Sequence, residues 1–414
     1  MKKKVRKRKH YSNKNAFQDS LKSILKQSLL ILFISVIGEG ITGFILTGMK
    51  SKLAVLPGLL VLVPALTDLR GNVGAAFGER LSTMLHLGIV KPVIKVTNII
   101  KHNIFASLTL TITMAFTIGF IAPYVCRLFH ITSIGALRLS MISTSAGIVS
   151  SLILLPVVFV LVFFTFKHHI DPDNIIAPML PVIGDIVTVS AIFLSTILVT
   201  KLLPISSIGF VFLAASPFLN GFRKKRNKFP KRYRYAVIIE QSVPILTICL
   251  AIGITSGIFL QSAEKTFSIY PALLSLVPQV IAQGGSIGGI VGSRVSTALY
   301  LGSIRPFQFN GGSRKNFTAG ILMGLAVAPL IAIVSIISSL IARAAAPPFT
   351  EVFIISFLSL LILSFLMSVI AVLLAFFSFK IGIDPSNVVI PLITSIGDIT
   401  GVVVLLIMIK IFIL

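Results

Sequence analysis

Acidic side chains are scarce in this 414-residue chain: 12 residues are Asp or Glu against 37 Lys and Arg, for a formal net charge of +25. Cysteine is scarcer still. Cys126 and Cys249 lie in or beside different apolar runs, which leaves neither a disulfide framework nor a thiolate metal site. Charged residues of both signs make up only 12% of the chain, hydrophobic residues make up 55%, and mean hydropathy is +1.01. Apolar runs of about 18 residues or more recur too often for a soluble core, and the short alternating segments of a β-barrel are missing. The chain reads as an all-α polytopic membrane protein. An excess of acid is absent too, so each carboxylate inside an apolar run stands out as a candidate functional residue.

The strong basic balance invites a nucleic-acid reading, but the placement of the charges excludes it. Lys and Arg gather in residues 1–26, in 91–101 and in the run RKKRNKFPKRYRY at 223–235, each directly beside an apolar span. That is the distribution expected of cytoplasmic loops facing anionic lipid head groups, which are the expected partner surface. The first apolar run, from about Ser28 to Leu46, lacks a small-residue cleavage site and is expected to be an uncleaved span.

One stretch occurs twice. DPDNIIAPMLPVIGD at 171–185 and DPSNVVIPLITSIGD at 384–398 share Asp, Pro, Asn, Pro, Ile, Gly and Asp at identical spacing, 213 positions apart. PALTDLRGNVGAAFGERLSTMLHLG at 64–88 and PQVIAQGGSIGGIVGSRVSTALYLG at 278–302 agree at ten of 25 positions with a shift of 214. The chain is therefore two homologous halves, a common construction among transporters. The expected organisation is a basic tail (1–26), a first repeat (27–202), a linker with a basic loop (203–235) and a second repeat (236–414). Five spans per repeat would invert the second half, yet the basic loops of both halves require the same side. A further crossing by PISSIGFVFLAASPFLNGF at 204–222 resolves this. Eleven spans follow, with two parallel repeats about a pseudo-twofold axis, the N-terminus cytoplasmic and the C-terminus external.

The duplicated stretch carries the chemistry. Asn174 and Asp185 are eleven residues apart, which places them within roughly 20° of one helix face and about 16 Å apart along it. Pro178 falls on the same stripe, and Asn387, Pro391 and Asp398 repeat the pattern. Each copy thus offers oxygen ligands along one side of a helix, with a proline that frees a carbonyl one turn back. Two intramembrane carboxylates facing one another repel unless a cation separates them. A site of carboxylates, amides and carbonyls suits a hard divalent ion held partly through its water, as magnesium is. The opposing reading pairs each Asp with Arg80 or Arg294 of its own half. Asp171 and Asp384 serve equally well as helix caps or as cation attractors at the cytoplasmic mouth. Asn72, Ser286, Gln283, Thr188 and Thr394 are candidates to line the path. Glu39, flanked by glycines and without an acidic counterpart, is a candidate for a second, coupling ion.

The glycine-rich segments 71–78 and 284–292 lack the Gly-Lys-Ser/Thr of a phosphate loop and read as close helix packing. His86, His168 and His169 have no counterpart in the other half, against a transition-metal site. No enzyme is expected, because the paired Ile-Gly-Asp differs from the Tyr-Asp and Gly-x-Gly-Asp pair of an intramembrane aspartyl protease.

At these residues the sequence resembles the MgtE-type magnesium channel and transporter family, and more closely its duplicated relatives, the eukaryotic solute-carrier magnesium transporters. The matching parts are Pro-Ala-Leu-x-x-x-x-Gly-Asn with Arg-Leu-Ser-Thr at 64–83, the second copy at 278–297, and both Asp-Pro-x-Asn…Gly-Asp stretches. The resemblance implies a central cation pore between five-helix units, with Asp185 and Asp398 as intramembrane magnesium ligands within one chain, and hence a functional monomer. Only 26 residues, ten of them Lys or Arg, precede the first span, so the acidic cytoplasmic sensing domain of the bacterial channels is not expected here. A sodium-coupled exporter, or a receptor, scramblase or assembly protein, is the alternative.

The topology is testable at the linker. A Lys225→Cys protein should be labelled by a membrane-impermeant thiol reagent only after the cytoplasmic face is opened; efficient labelling from outside intact cells overturns the eleven-span arrangement.

Overall fold

The computed structural model describes residues 21–49, 56–86, 88–93, 95–168, 172–202, 234–300, 302–307, 311–381 and 385–413. These form helices and their connections, with no strand among the described residues. The first half contributes α1 (Leu21–Gly48), α2 (Leu59–His86), α3 (Asn98–Leu128), α4 (Ala136–Lys167) and α5 (Pro172–Leu202). The second contributes α6 (Tyr235–Ser262), the short α7 (Glu264–Ile269), α8 (Leu273–Tyr300), α9 (Gly311–Ile341), α10 (Phe349–Lys380) and α11 (Pro385–Phe412). All but α7 are long and apolar enough to cross a membrane, giving ten candidate spans among the described residues. The expected crossing at 204–222 lies outside the described residues.

Hydrocarbon offers the backbone no hydrogen-bonding partner, so an apolar run of this length settles as helix, and its hydroxyls turn back onto their own helix. Thr111 donates to the Ser107 carbonyl (2.9 Å), Thr188 to that of Gly184 (2.6 Å) and Ser296 to that of Gly292 (2.7 Å). The last matched residue of the duplicated motif ends the helix in both copies. Gly88 and Gly302 both sit at φ +67°, with their amides returned to Leu85 and Leu299, a left-handed stop that a Cβ would strain. Helices α5 and α11 likewise both begin at the Pro of their Asp-Pro pair.

Helices α2 and α8 are central. Their most apolar windows are 72% and 67% buried, against 44–50% for the other spans. Each packs on the last three spans of its own half, α2 on α3, α4 and α5, and α8 on α9, α10 and α11. The first helix of each half packs chiefly on the other half. Helix α1 lies on α8 and α9 as well as on α5 of its own half, and α6 lies on α2 and α3 as well as on α11, so the two halves exchange their first helices. The contacts are reciprocal at the 214-residue shift: Gly43 of α1 meets the backbone of Ser275, and Gly257 of α6 meets the backbone of Val61. Reciprocal pairs of this kind are what a twofold relation produces.

Helix directions follow from the same contacts. Near the end of α1, Thr47 donates to the Pro271 carbonyl ahead of α8 (3.4 Å), and Ser35 higher up accepts from Gln283 of α8 (3.2 Å). The Leu60 amide at the start of α2 donates to Gln261 near the end of α6 (3.1 Å). Helices α1 and α8 are thus antiparallel. As α1 and α2 are successive spans, α2 and α8 run the same way, and the halves are parallel copies. Helix α5 then ends on the membrane face opposite the one where α6 begins.

The exchange depends on absent side chains. A Cβ on Gly257 would stand 2.3 Å from the Val61 carbonyl oxygen, and one on Gly43 2.6 Å from that of Ser275, whereas one on Gly71 meets nothing within 4 Å. Gly257→Ala should lower stability by about 1–3 kcal/mol through overpacking, while Gly71→Ala should be neutral or gain up to about 1 kcal/mol of helix propensity. Thermal melting followed by circular dichroism checks the pair; equal melting of both variants would refute the tight crossing.

Candidate functional site

The acids gather where the two halves meet. Asp185 of α5 and Asp398 of α11 stand close enough for their charges to act on each other, and both feel Asp68 of α2. All three are half-buried. Among the described residues neither the Asp185 nor the Asp398 carboxylate accepts a hydrogen bond. Asp68 accepts from Asn72 Nδ2 (3.0 Å) and from Ser395 Oγ at 3.4 Å to each oxygen, and Ser395 lies on α11 of the other half. On the outer side of the cluster, Ser256 of α6 donates to the Asp398 carbonyl (3.2 Å), and Cys249 lies within reach of both Asp68 and Asp398. The partly exposed stripe of α2 continues from Asp68 through Asn72 and Ala75 to the exposed Glu79. That of α8 runs through Ala282, Ser286 and Gly289 to Ser293.

Glycine builds the second-half wall of this space. A Cβ on Gly288 or Gly292 would collide with Ile393 (2.7 Å) or Val389 (2.5 Å), and one on Gly397 would stand 2.9 Å from the backbone nitrogen of Gly285. In the 284–292 segment Gly284, Gly288 and Gly292 are thus packing surfaces, as the sequence suggested, whereas Gly71 of the first segment meets nothing within 4 Å. Gly288 and Gly292 bring α11 against α8 and hold Asp398 near the middle.

Arg80 and Arg294, the candidate partners of the acids, are engaged elsewhere. Arg80 donates through Nε to Asn103 (2.8 Å) and through Nη2 to Ser107 (3.2 Å), and Arg294 donates through Nε to Asn316 (2.9 Å). The Arg of the duplicated Arg-x-Ser-Thr run is therefore a clamp between the second and third helices of each half. Gln283 and Thr188 are placed differently from the expectation that they line the path. Gln283 is fully buried and donates to Ser35 of α1, and Thr188 is buried with its hydroxyl turned onto its own helix. Asn72, Ser286 and Thr394 are half-buried. Asn174 and Asn387 lie in the first turns of α5 and α11, but their side chains fall outside the described residues, as do Asp171 and Asp384 altogether.

Two charged residues escaped notice in the sequence. Asp68 sits inside the quoted Pro-Ala-Leu-Thr-Asp run but faces Ala282 in the second copy, so a search for shared residues passes over it. Arg70, two residues on, is fully buried and has Gly284 as its counterpart. Its Nη1 donates to Thr111 (2.9 Å), Ser151 (2.6 Å) and the Gly147 carbonyl (3.3 Å), while Nε and Nη2 have no partner among the described residues. A lone acid or base within an apolar span was the available signal.

Among the described residues no three of His, Cys, Asp and Glu converge tightly enough to hold one ion directly. The arrangement is a loose ring of charge, suited to an ion that keeps part of its water.

No solved structure matches the chain. It is 25% identical over 375 residues to solute carrier family 41 member 2 of Homo sapiens and of Macaca fascicularis, covering 84% of this chain and 63% of theirs. It is 24% identical to solute carrier family 41 member 3 of Rattus norvegicus, covering 83% of this chain and 77% of that one. The chain thus spans less than two thirds of the length of the first two. The family described as MgtE, divalent cation transporter, matches residues 63–195 and 277–408, the α2–α5 and α8–α11 blocks that enclose the three aspartates. With one match in each half of the chain, together covering more than half of its length, this multi-pass membrane protein belongs to the MgtE family of divalent cation transporters.

Proposed function

We propose that this chain transports a divalent cation, magnesium, across the cell membrane along the interface of its two halves, with Asp185, Asp398 and Asp68 as the ion site. The observation that carries this reading is the meeting of three half-buried carboxylates from both halves, two of them without a hydrogen bond among the described residues. Three like charges this close in a medium of low dielectric are held apart only at a cost, and a divalent ion between them removes it. The missing convergence fits an ion that binds through its inner waters. Magnesium sheds these reluctantly, and the carboxylates then grip its hydration shell. The family's transported ion supports the same reading.

In this reading residues 27–202 and 236–414 act as the two functional halves, and one chain supplies both halves of the site, so a monomer suffices. The chain ends at the α2–α3 and α8–α9 connections carry Lys91, Lys95, Arg305 and Arg314, beside the starts of α5 and α11. The positive-inside rule places this face in the cytoplasm, against anionic lipid. The function is transport; no reaction chemistry is assigned to these acids.

Asp→Asn substitution keeps the shape and the acceptor oxygen while removing charge. Asp185→Asn or Asp398→Asn should lower magnesium flux into or out of proteoliposomes roughly tenfold or more, the loss of about 1.4 kcal/mol or more of ion stabilisation. The double variant should add much less than both singles combined, since the two act as a unit. A magnesium-dependent rise in melting temperature that persists undiminished in the double variant would place the ion elsewhere.

Asp68→Asn separates charge from scaffold in the same way, because an Asn oxygen still accepts from Asn72 and Ser395. It should weaken the magnesium-dependent thermal shift by a comparable factor while leaving the ion-free melting point unchanged or raised. An unchanged magnesium shift removes Asp68 from the site.

A further inference from the structure

The connection between α3 and α4 departs from the charge pattern of the rest of the chain. It lies on the membrane face opposite the one that carries Lys91, Lys95, Arg305 and Arg314, where few cations are expected, yet Arg127, His130 and Arg138 gather there. No acid answers them along these helices, since the sequence has no Asp or Glu between Glu79 and Asp171. Arg127 stands in the last turn of α3, His130 follows two residues past its end at φ +56°, and both are exposed. With Tyr124, Thr132 and Ser133 they line a groove of about 480 Å³, within the range of small-molecule clefts. Its floor is fixed to the chain ahead of α2. The Ile134 amide donates to the Pro57 carbonyl (3.1 Å), and a Cβ on Gly58 would stand 3.0 Å from that of Ser133.

Aromatic surface leads from the groove into the span. Phe116, Phe120 and Tyr124 follow one another four residues apart on α3, with ring centroids 6.0 Å and 5.4 Å apart, and Phe120 and Tyr124 are exposed. This ladder covers about 12 Å of helix. Leu128, Phe129 and Leu137, next in sequence to the lining residues, are exposed as well.

We propose that this groove holds the phosphate of one anionic phospholipid, with an acyl chain laid along the ladder of Phe116, Phe120 and Tyr124. Arg127 offers its charged fork to two phosphate oxygens, and the His130 ring and the hydroxyls of Thr132 and Ser133 supply further donors. Basic side chains without a carboxylate on either helix complement a head group whose phosphate charge no amine cancels, such as phosphatidylglycerol. A free phosphate would satisfy the same donors but make no use of the ladder, and the exposed Leu128, Phe129 and Leu137 set the groove at head-group depth rather than in open water.

The second half carries the same backbone without this chemistry. Helices α9 and α10 have the bounds of α3 and α4 shifted by 213 residues, and Arg343 repeats the left-handed turn of His130 at φ +48°. Arg127, Thr132 and Ser133 correspond there to Leu340, Ala345 and Ala346, and Arg138 to Glu351. One lipid per chain follows, and Arg343 is an internal control.

Full-length protein in uncharged detergent is titrated with phosphatidylglycerol or phosphatidylcholine, and the lipids retained per chain are counted by native mass spectrometry. One phosphatidylglycerol per chain should bind with a Kd at least about tenfold below that of phosphatidylcholine, and Arg127→Gln with His130→Gln should raise that Kd about tenfold or more. Arg127→Gln alone should raise it by less, and Arg343→Gln should leave it unchanged. Phosphatidylglycerol should raise the melting temperature of the unaltered chain more than that of the double variant. The lipid-free melting temperatures should agree, because both substituted side chains are exposed, which shows that the variant folds. Retention unchanged in the single and the double variant overturns the proposal, as does equal retention of the two lipids. Inorganic phosphate that raises the melting temperature as far as the lipid does, through the same two residues, also overturns it, since the groove then serves a soluble anion.

Discussion

An ionised carboxylate inside a hydrocarbon slab must find water, a partner or an ion, and the fold is organised around four that span the two halves. Asp185 and Asp398 are delivered by equivalent helices, Asp68 by the central α2 and Glu39 by the exchanged α1. The surrounding helices pack closely through Gly43, Gly257, Gly288 and Gly292, and half-buried residues of α2 and α8 border the aspartates. Tight packing around a small polar space keeps the dielectric low and makes the field of three carboxylates strong there.

The symmetry of the scaffold and the asymmetry of its charges do different work. Backbone features recur at equivalent positions: the left-handed glycines ending α2 and α8, the Arg-to-Asn clamps at Arg80 and Arg294, the proline starts of α5 and α11. The charges of α1 and α2 do not recur, since Glu39, Asp68 and Arg70 face Gly253, Ala282 and Gly284. A duplicated frame thus carries one pair of shared acids plus a set confined to the first half.

The sequence showed what repeats. Internal duplication isolated Asp185 and Asp398, hydropathy found the ten spans among the described residues, and the positions of Lys and Arg pointed to the parallel arrangement that the α1–α8 and α2–α6 contacts display. It was blind to what occurs once. Asp68 and Arg70 were passed over because their counterparts are small and neutral. Gln283 looked path-facing from its place in the motif, yet it is turned onto α1, a neighbour supplied by the exchange. Helical periodicity specifies which face of a helix is buried and is silent about which helix covers it, so the exchange itself had no signature in the sequence.

That exchange bears on biosynthesis. Helix α1 enters the membrane first, but the helices that seat it, α8 and α9, are on the order of 200 residues downstream. At roughly 5–20 residues per second, about ten to forty seconds separate the synthesis of α1 from that of its seat. Through that interval Glu39 faces lipid or the translocation machinery with no α8 beside it. The first half therefore cannot complete its packing alone: α1 has α5 of its own half to rest on, and its other wall is added only when α8 and α9 are made.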